Sequence, residues 1–182
     1  MTFRKTEIPG VWIVEPERFE DERGFFARTW DREDFSERGL SDRFVQASIS
    51  FNRRRGTLRG MHYQAAPHEE AKLVRCTAGA IFDVAIDLRP ESKTCTRWAG
   101  IELSAENRLA LYVPEGCAHG FLTLTDDVEV AYQISVPHVP DAARGVRFDD
   151  PAFGVAWPGE VLVVNERDRT YPDFQVGVGA GA

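Results

Sequence analysis

The feature that most constrains this chain is its division into short strand-like runs with almost no helical signal between them. Nine segments read as strands separated by turn residues: VWIV (11–14), FFARTW (25–30), FVQASISF (44–51), TLRGMHYQ (57–64), AKLVRCT (71–77), AIFDVAIDL (80–88), ALYV (110–113), AHGFLTL (118–124) and VEVAYQIS (128–135). A single short helix is predicted over 31–38, with Asp31 as its cap, Glu33 near its positive end and Gly39 as its stop. Many short strands without intervening long helices call for antiparallel sheets rather than βαβ units. The spacing fits an all-β sandwich or barrel of the jelly-roll type.

At 182 residues the chain is sized for one domain, taken as 1–182, with VGVGAGA (176–182) as a frayed tail. Hydrophobic residues make up 43% and charged residues 28%, which supplies a real core. The formal net charge of −7 argues against a general nucleic-acid binder but leaves room for a local basic pocket. No apolar run is long enough for a membrane span, and MTFRKTEIPG lacks the apolar middle of a signal peptide. The three cysteines, Cys76, Cys95 and Cys117, form no CxxC pair and are odd in number. No disulfide framework or thiolate metal site is expected, and a cytoplasmic location is.

Four residues stand out chemically. His62 lies inside a strand, where a lone histidine is more often a satisfied core residue than a base. Strict alternation puts Arg59 and His62 on opposite faces, unless Gly60 hosts a bulge that brings them together. Lys72 shares a strand face with Val74 and Cys76, so it is either a snorkelling edge residue or an inward cation for an anion or a developing enolate. Tyr132 alternates with Val128, Val130 and Ile134, so its ring points to the apolar face, as a core residue or as a general acid in a cavity. Asp168 lies in a charged stretch, NERDRTYP; folded back onto His62, it would accept the imidazole N–H.

Other positions are more ambiguous. In the 80–88 strand, Asp83 and Asp87 share a face with Ile81 and Ala85; they are either solvated or, for Asp83, turned into a polar cavity. The RRR run at 53–55 reads as a solvated turn. The four histidines, His62, His68, His119 and His138, offer no HxH pair, so no metal and no cofactor are expected.

In order along the chain stand DERGFF (21–26), FVQ (44–46), GTLRGMHYQ (56–64), KLVRCTAGAIFDVAIDLR (72–89), LSAEN (103–107), VPEGCAHGF (113–121), AYQ (131–133), DDP (149–151) and WP (157–158). Through these motifs, over about residues 5–173, the sequence resembles the dTDP-4-dehydrorhamnose 3,5-epimerases of deoxysugar biosynthesis. The resemblance implies a cupin-like jelly roll with a few short helices, metal-free and homodimeric, acting on a nucleotide-diphosphate sugar. It implies His62 as base, Tyr132 as acid, Lys72 beside the C4 enolate oxygen and Asp168 as the partner of His62. Arg23, Phe26, Gln46, Arg59, His119 and Arg167 match positions that line the sugar-nucleotide site, and Ser48 stands where the family usually has Asn. For the homodimer, TEIPGVWIVEPERF near the N-terminus has strand character and could pair across a two-fold axis.

The chain departs from the family pattern at Arg28, Ser48, His138 and Ala143, and Arg167 replaces a usual lysine. By analogy these changes gather around nucleotide and sugar contacts rather than the acid–base core. The reaction type is therefore better defined than the substrate. A 3-only or 5-only epimerase, a CDP- or GDP-linked substrate, and a non-catalytic sugar-nucleotide-binding cupin are the alternatives.

Overall fold

The computed structural model describes residues 1–175; the expected tail at 176–182 lies outside the described residues. The strands are β1 (Thr2–Lys5), β2 (Trp12–Glu15), β3 (Arg18–Asp21), β4 (Gly24–Ala27), β5 (Gln46–Asn52), β6 (Leu58–Gln64), β7 (Lys72–Ala78), β8 (Ala80–Asp87), β9 (Trp98–Ser104), β10 (Ala110–Val113), β11 (Cys117–Thr123), β12 (Val128–Ile134) and β13 (Ala143–Gly145). Two short helices, α1 (Arg32–Ser36) and α2 (Glu166–Thr170), and a 3₁₀ turn at Pro140–Ala142 complete the described elements. No helix among the described residues is long and apolar enough to cross a membrane.

The strands build two facing antiparallel sheets, ordered β1-β2-β10-β7-β12-β5 and β13-β6-β11-β8-β9. This is a jelly-roll arrangement, and consecutive strands such as β7 and β8 fall in different sheets. Alternation fills the space between them: Val74, Cys76, Val128 and Val130 from one sheet meet Ile81, Ala85, Leu103 and Phe121 from the other. The outer faces are covered as well. Phe35 of α1, fully buried, packs with Leu73, Ala110 and Tyr112 on the six-stranded sheet. The C-terminal segment lays Val146, Phe153 and Trp157 over Met61, Val84 and Ile86. With both faces covered, β8 is buried along nearly its whole length, and neither Asp83 nor Asp87 is solvated.

The predicted helix forms, shorter than 31–38. Asp31 caps it by accepting the Glu33 and Asp34 N–H groups at 3.0 and 3.3 Å. The Leu40 N–H then returns to the Phe35 carbonyl at 3.0 Å, and Gly39 takes a φ of 68° to close the turn. The strand expected over 25–30 ends at Ala27, because the chain leaves it to enter this cap.

Unpredicted are β1, β3, β9 and β13. The β3 sequence RFED is exposed throughout and has no apolar alternation to detect. It pairs only with β4, making a separate two-stranded hairpin.

Candidate active site

Between the two sheets, at the end marked by the start of β7, lies a cavity of about 630 Å³. Its lining comes from both sheets: Arg59, His62 and His119 on β6 and β11, and Gln46, Ser48, Ser50, Lys72 and Tyr132 on β5, β7 and β12.

A bulge brings Arg59 and His62 to the same side. On β11, His119 faces His62 and Phe121 faces Arg59, so two steps on one strand match three on the other. Gly60 takes up the extra residue with a φ of 135°, and a methyl group there would sit 2.5 Å from the Cα of Gly120. Met61 turns outward into the cluster under the C-terminal segment.

His62 Nε2 and Asp168 Oδ1 are 2.7 Å apart, with the carboxylate fully buried and the imidazole 40% exposed toward the cavity. Asp168 Oδ2 accepts the Gly60 N–H at 3.1 Å, tying the carboxylate to the bulge itself. The Asn165 side chain accepts the Asp168 N–H at 2.7 Å and so starts α2. Burial pushes the Asp168 carboxyl up, but the hydrogen bond and charge of His62, with the Gly60 N–H, outweigh it. The group is held below the usual carboxylate range.

Tyr132 projects from the facing sheet. Its hydroxyl is 3.2 Å from Ser50 Oγ, and its ring meets the His119 ring edge-on at 6.2 Å. Burial drives the phenol well above its ordinary value, further than the Ser50 hydrogen bond can lower it. His119 is buried and lies 2.8 Å from Asp83 Oδ1, so Asp83 does turn inward. Burial also raises the Asp83 carboxyl, against the opposing influence of His119 and Lys72.

Lys72 is almost buried; its Nζ is 2.8 Å from Glu70 Oε1 and donates to the His62 carbonyl at 3.3 Å. The Arg59 guanidinium is steered by Asn52, whose Oδ1 accepts its Nε–H at 2.6 Å. Arg167, Arg144 and His138 also line the cavity, and the His138 N–H donates to Gln46 Oε1 at 2.8 Å. Among the described residues no group of three or more His, Cys, Asp or Glu side chains is arranged to hold a metal ion.

Of the sequence-derived candidates, the cavity gathers His62, Tyr132, Lys72, Asp168, Gln46, Ser48, Arg59, His119 and Arg167. Arg23 and Phe26 lie outside the cavity of the single chain. Both sit on the β3–β4 hairpin, where the Arg23 side chain is 84% exposed beside Asp21 and Phe26 is 69% exposed. The RRR run is an exposed turn, as read.

The family model of dTDP-4-dehydrorhamnose 3,5-epimerase matches residues 5–176. This chain belongs to that family. It is 45% identical over 172 residues to the dTDP-4-dehydrorhamnose 3,5-epimerase of Methanothermobacter thermautotrophicus, covering 93% of this chain and 92% of the relative. The crystal structure of the Elizabethkingia anophelis enzyme of the same name superposes with a TM-score of 0.93 at 39% identity, covering 96% of each chain. The Legionella pneumophila dTDP-6-deoxy-D-glucose-3,5-epimerase, solved in complex with dTDP-4-keto-L-rhamnose, gives a TM-score of 0.86 at 37% identity, covering 92% of this chain and 89% of that one.

The chain is thus an epimerase with a cupin-like jelly roll. Sequence reasoning missed several side chains at the epimerase cavity. Glu70 carried a readable signal, because it stands two residues before Lys72, and in extended chain that spacing puts two side chains on one side. Ser50 likewise shares a face with Ser48 on β5. Arg144 and Asn165 carried none, since both reach the cavity from irregular C-terminal chain or a three-residue strand.

Proposed function

We propose that this epimerase inverts C3 and C5 of a nucleotide-linked 4-keto-6-deoxyhexose, converting dTDP-4-dehydro-6-deoxyglucose to dTDP-4-dehydrorhamnose. The observation that carries the reading is the placement of His62, backed by Asp168 of α2, on one sheet and the Tyr132 hydroxyl on the other, with one cavity between them.

The 4-keto group makes the C–H bonds at C3 and C5 acidic, because the electron pair left behind delocalises onto the C4 oxygen. His62 removes the proton from one face, and Asp168 orients the ring and stabilises the imidazolium that forms. The enolate oxygen accepts a hydrogen bond from the Lys72 ammonium. Tyr132 delivers its phenolic proton to the same carbon from the opposite face, which inverts the centre. Proton return from His62 to Tyr132 through water resets the pair, and the cycle repeats at the second carbon. No net oxidation occurs. Arg59 and Arg167 supply forked donors for the diphosphate, and Gln46, Ser48 and His138 line the same cavity for the remainder of the substrate.

The active form is a homodimer. Phe19, Phe25 and Phe26 expose 59%, 43% and 69% of their surface on one small hairpin, and Ile49 and Phe51 expose 67% and 51% on edge strand β5. Apolar surface of this kind is suited to a second copy, and a partner's hairpin would bring Arg23 and Phe26 to a cavity. The three free cysteines support a reducing, cytoplasmic setting.

The test is turnover of dTDP-4-dehydro-6-deoxyglucose in D₂O, followed by NMR at each ring carbon. Deuterium should appear at C3 and C5, and His62→Ala should abolish it. Binding without exchange on dTDP-, CDP- and GDP-linked 4-keto sugars alike would identify a binding module instead.

A further inference from the structure

Glu70 and Lys72 flank Ala71 at the start of β7. In extended chain, residues two apart project to the same side. Ala71 is accordingly buried in the outer cluster with Phe35, while Glu70 and Lys72 both turn into the cavity. Their charged atoms are 2.8 Å apart, and only 10% of the Lys72 side chain and 9% of the Glu70 side chain are exposed. Exposed ion pairs contribute little, but this pair is largely removed from water. Each charge there depends on the other to offset its lost hydration.

The ammonium has three N–H donors. Glu70 and the His62 carbonyl occupy two directions, which leaves one for an oxygen in the cavity. Glu70 thus fixes the aim of the remaining donor.

We propose that Glu70 is a positioning residue for the epimerisation: its ion pair fixes the Lys72 ammonium in place and directs it at the enolate oxygen. Glu70 acts through Lys72 and does not itself touch the reacting atoms. The inference rests on the reading above, in which Lys72 faces the C4 oxygen.

Glu70→Gln tests it, because the amide keeps the size and one acceptor oxygen, removes the charge and turns the second oxygen into an NH₂ donor. kcat and KM are measured for wild type, Glu70→Gln, Lys72→Met and the double variant, on a 4-keto nucleotide sugar. The single Glu70→Gln change should lower kcat by about tenfold or more while KM stays within about twofold. In the Lys72→Met background the same change should alter kcat by less than about twofold, since nothing remains for the carboxylate to hold. Glu70→Asp, shorter but charged, should recover part of the kcat lost in Glu70→Gln. Wild-type kcat in Glu70→Gln, or an equal loss with and without Lys72, would overturn the proposal while leaving the function intact. An inactive wild-type chain would sink the functional reading and this inference with it.

Discussion

His62 and Asp168 meet at 2.7 Å although 106 positions separate them in the chain. The contact is held from both ends. The bulge at Gly60 aims the imidazole, and the same glycine's N–H binds the other carboxylate oxygen. A change in the carboxylate is therefore a change in the base and in the strand that carries it.

Asp168→Asn should lower kcat by about 10²-fold or more while the chain stays folded. The pH dependence of stability is a second signature. A carboxyl held below its unfolded value, near 3.9, contributes stability above that value and loses it as pH falls through the folded value. The stability difference between wild type and Asp168→Asn should therefore shrink as pH falls below about pH 4. Urea unfolding midpoints below about pH 5 measure it; a difference that grows from about pH 4 downward contradicts the assignment.

Tyr132→Phe should slow inversion by about 10²–10⁴-fold yet slow the first proton loss far less, because the base is untouched. Single-turnover exchange in D₂O separates the two steps. The phenol is raised by burial, so it should stay protonated, and ionisation of Tyr132 should cause no fall in kcat below about pH 10. Equal losses in exchange and inversion would remove the residue from the acid's role.

Gly60→Ala places a methyl group 2.5 Å from the Gly120 Cα at a φ of 135°. The neighbour is backbone and has nowhere to yield. A cost of about 2–3 kcal/mol is expected, which lowers Tm by roughly 4–12 °C for a domain of this size. Activity should fall as well, because the bulge aims both Arg59 and His62. Calorimetry and an activity assay on the same sample check both.

Phe26→Glu should weaken self-association without unfolding the chain, since the ring is 69% exposed in one protomer and contributes little to its own core. Sedimentation velocity at several concentrations reads the change. A variant that associates like wild type would show that the hairpin is not part of the dimer contact.

Alternation in the sequence placed Val74, Val130 and Tyr132 on an inward face, and the Asp31 cap and Gly39 stop located the single predicted helix. Those signals are local: a period of two and a capping side chain act over a few residues. The ordered motifs, through the resemblance they carry, named His62, Lys72 and Tyr132 among the residues that the cavity brings together. The structure decided what depends on distant chain. It joined Asp168 to His62, converted Gly60 from a candidate bulge into an observed one, and set Glu70 against Lys72 with little water around either. It also put Arg23 and Phe26 on a hairpin away from the cavity of their own chain. Pairing between sheets and closure of a long loop are set by the packing of the whole core, and no short stretch of sequence contains that information.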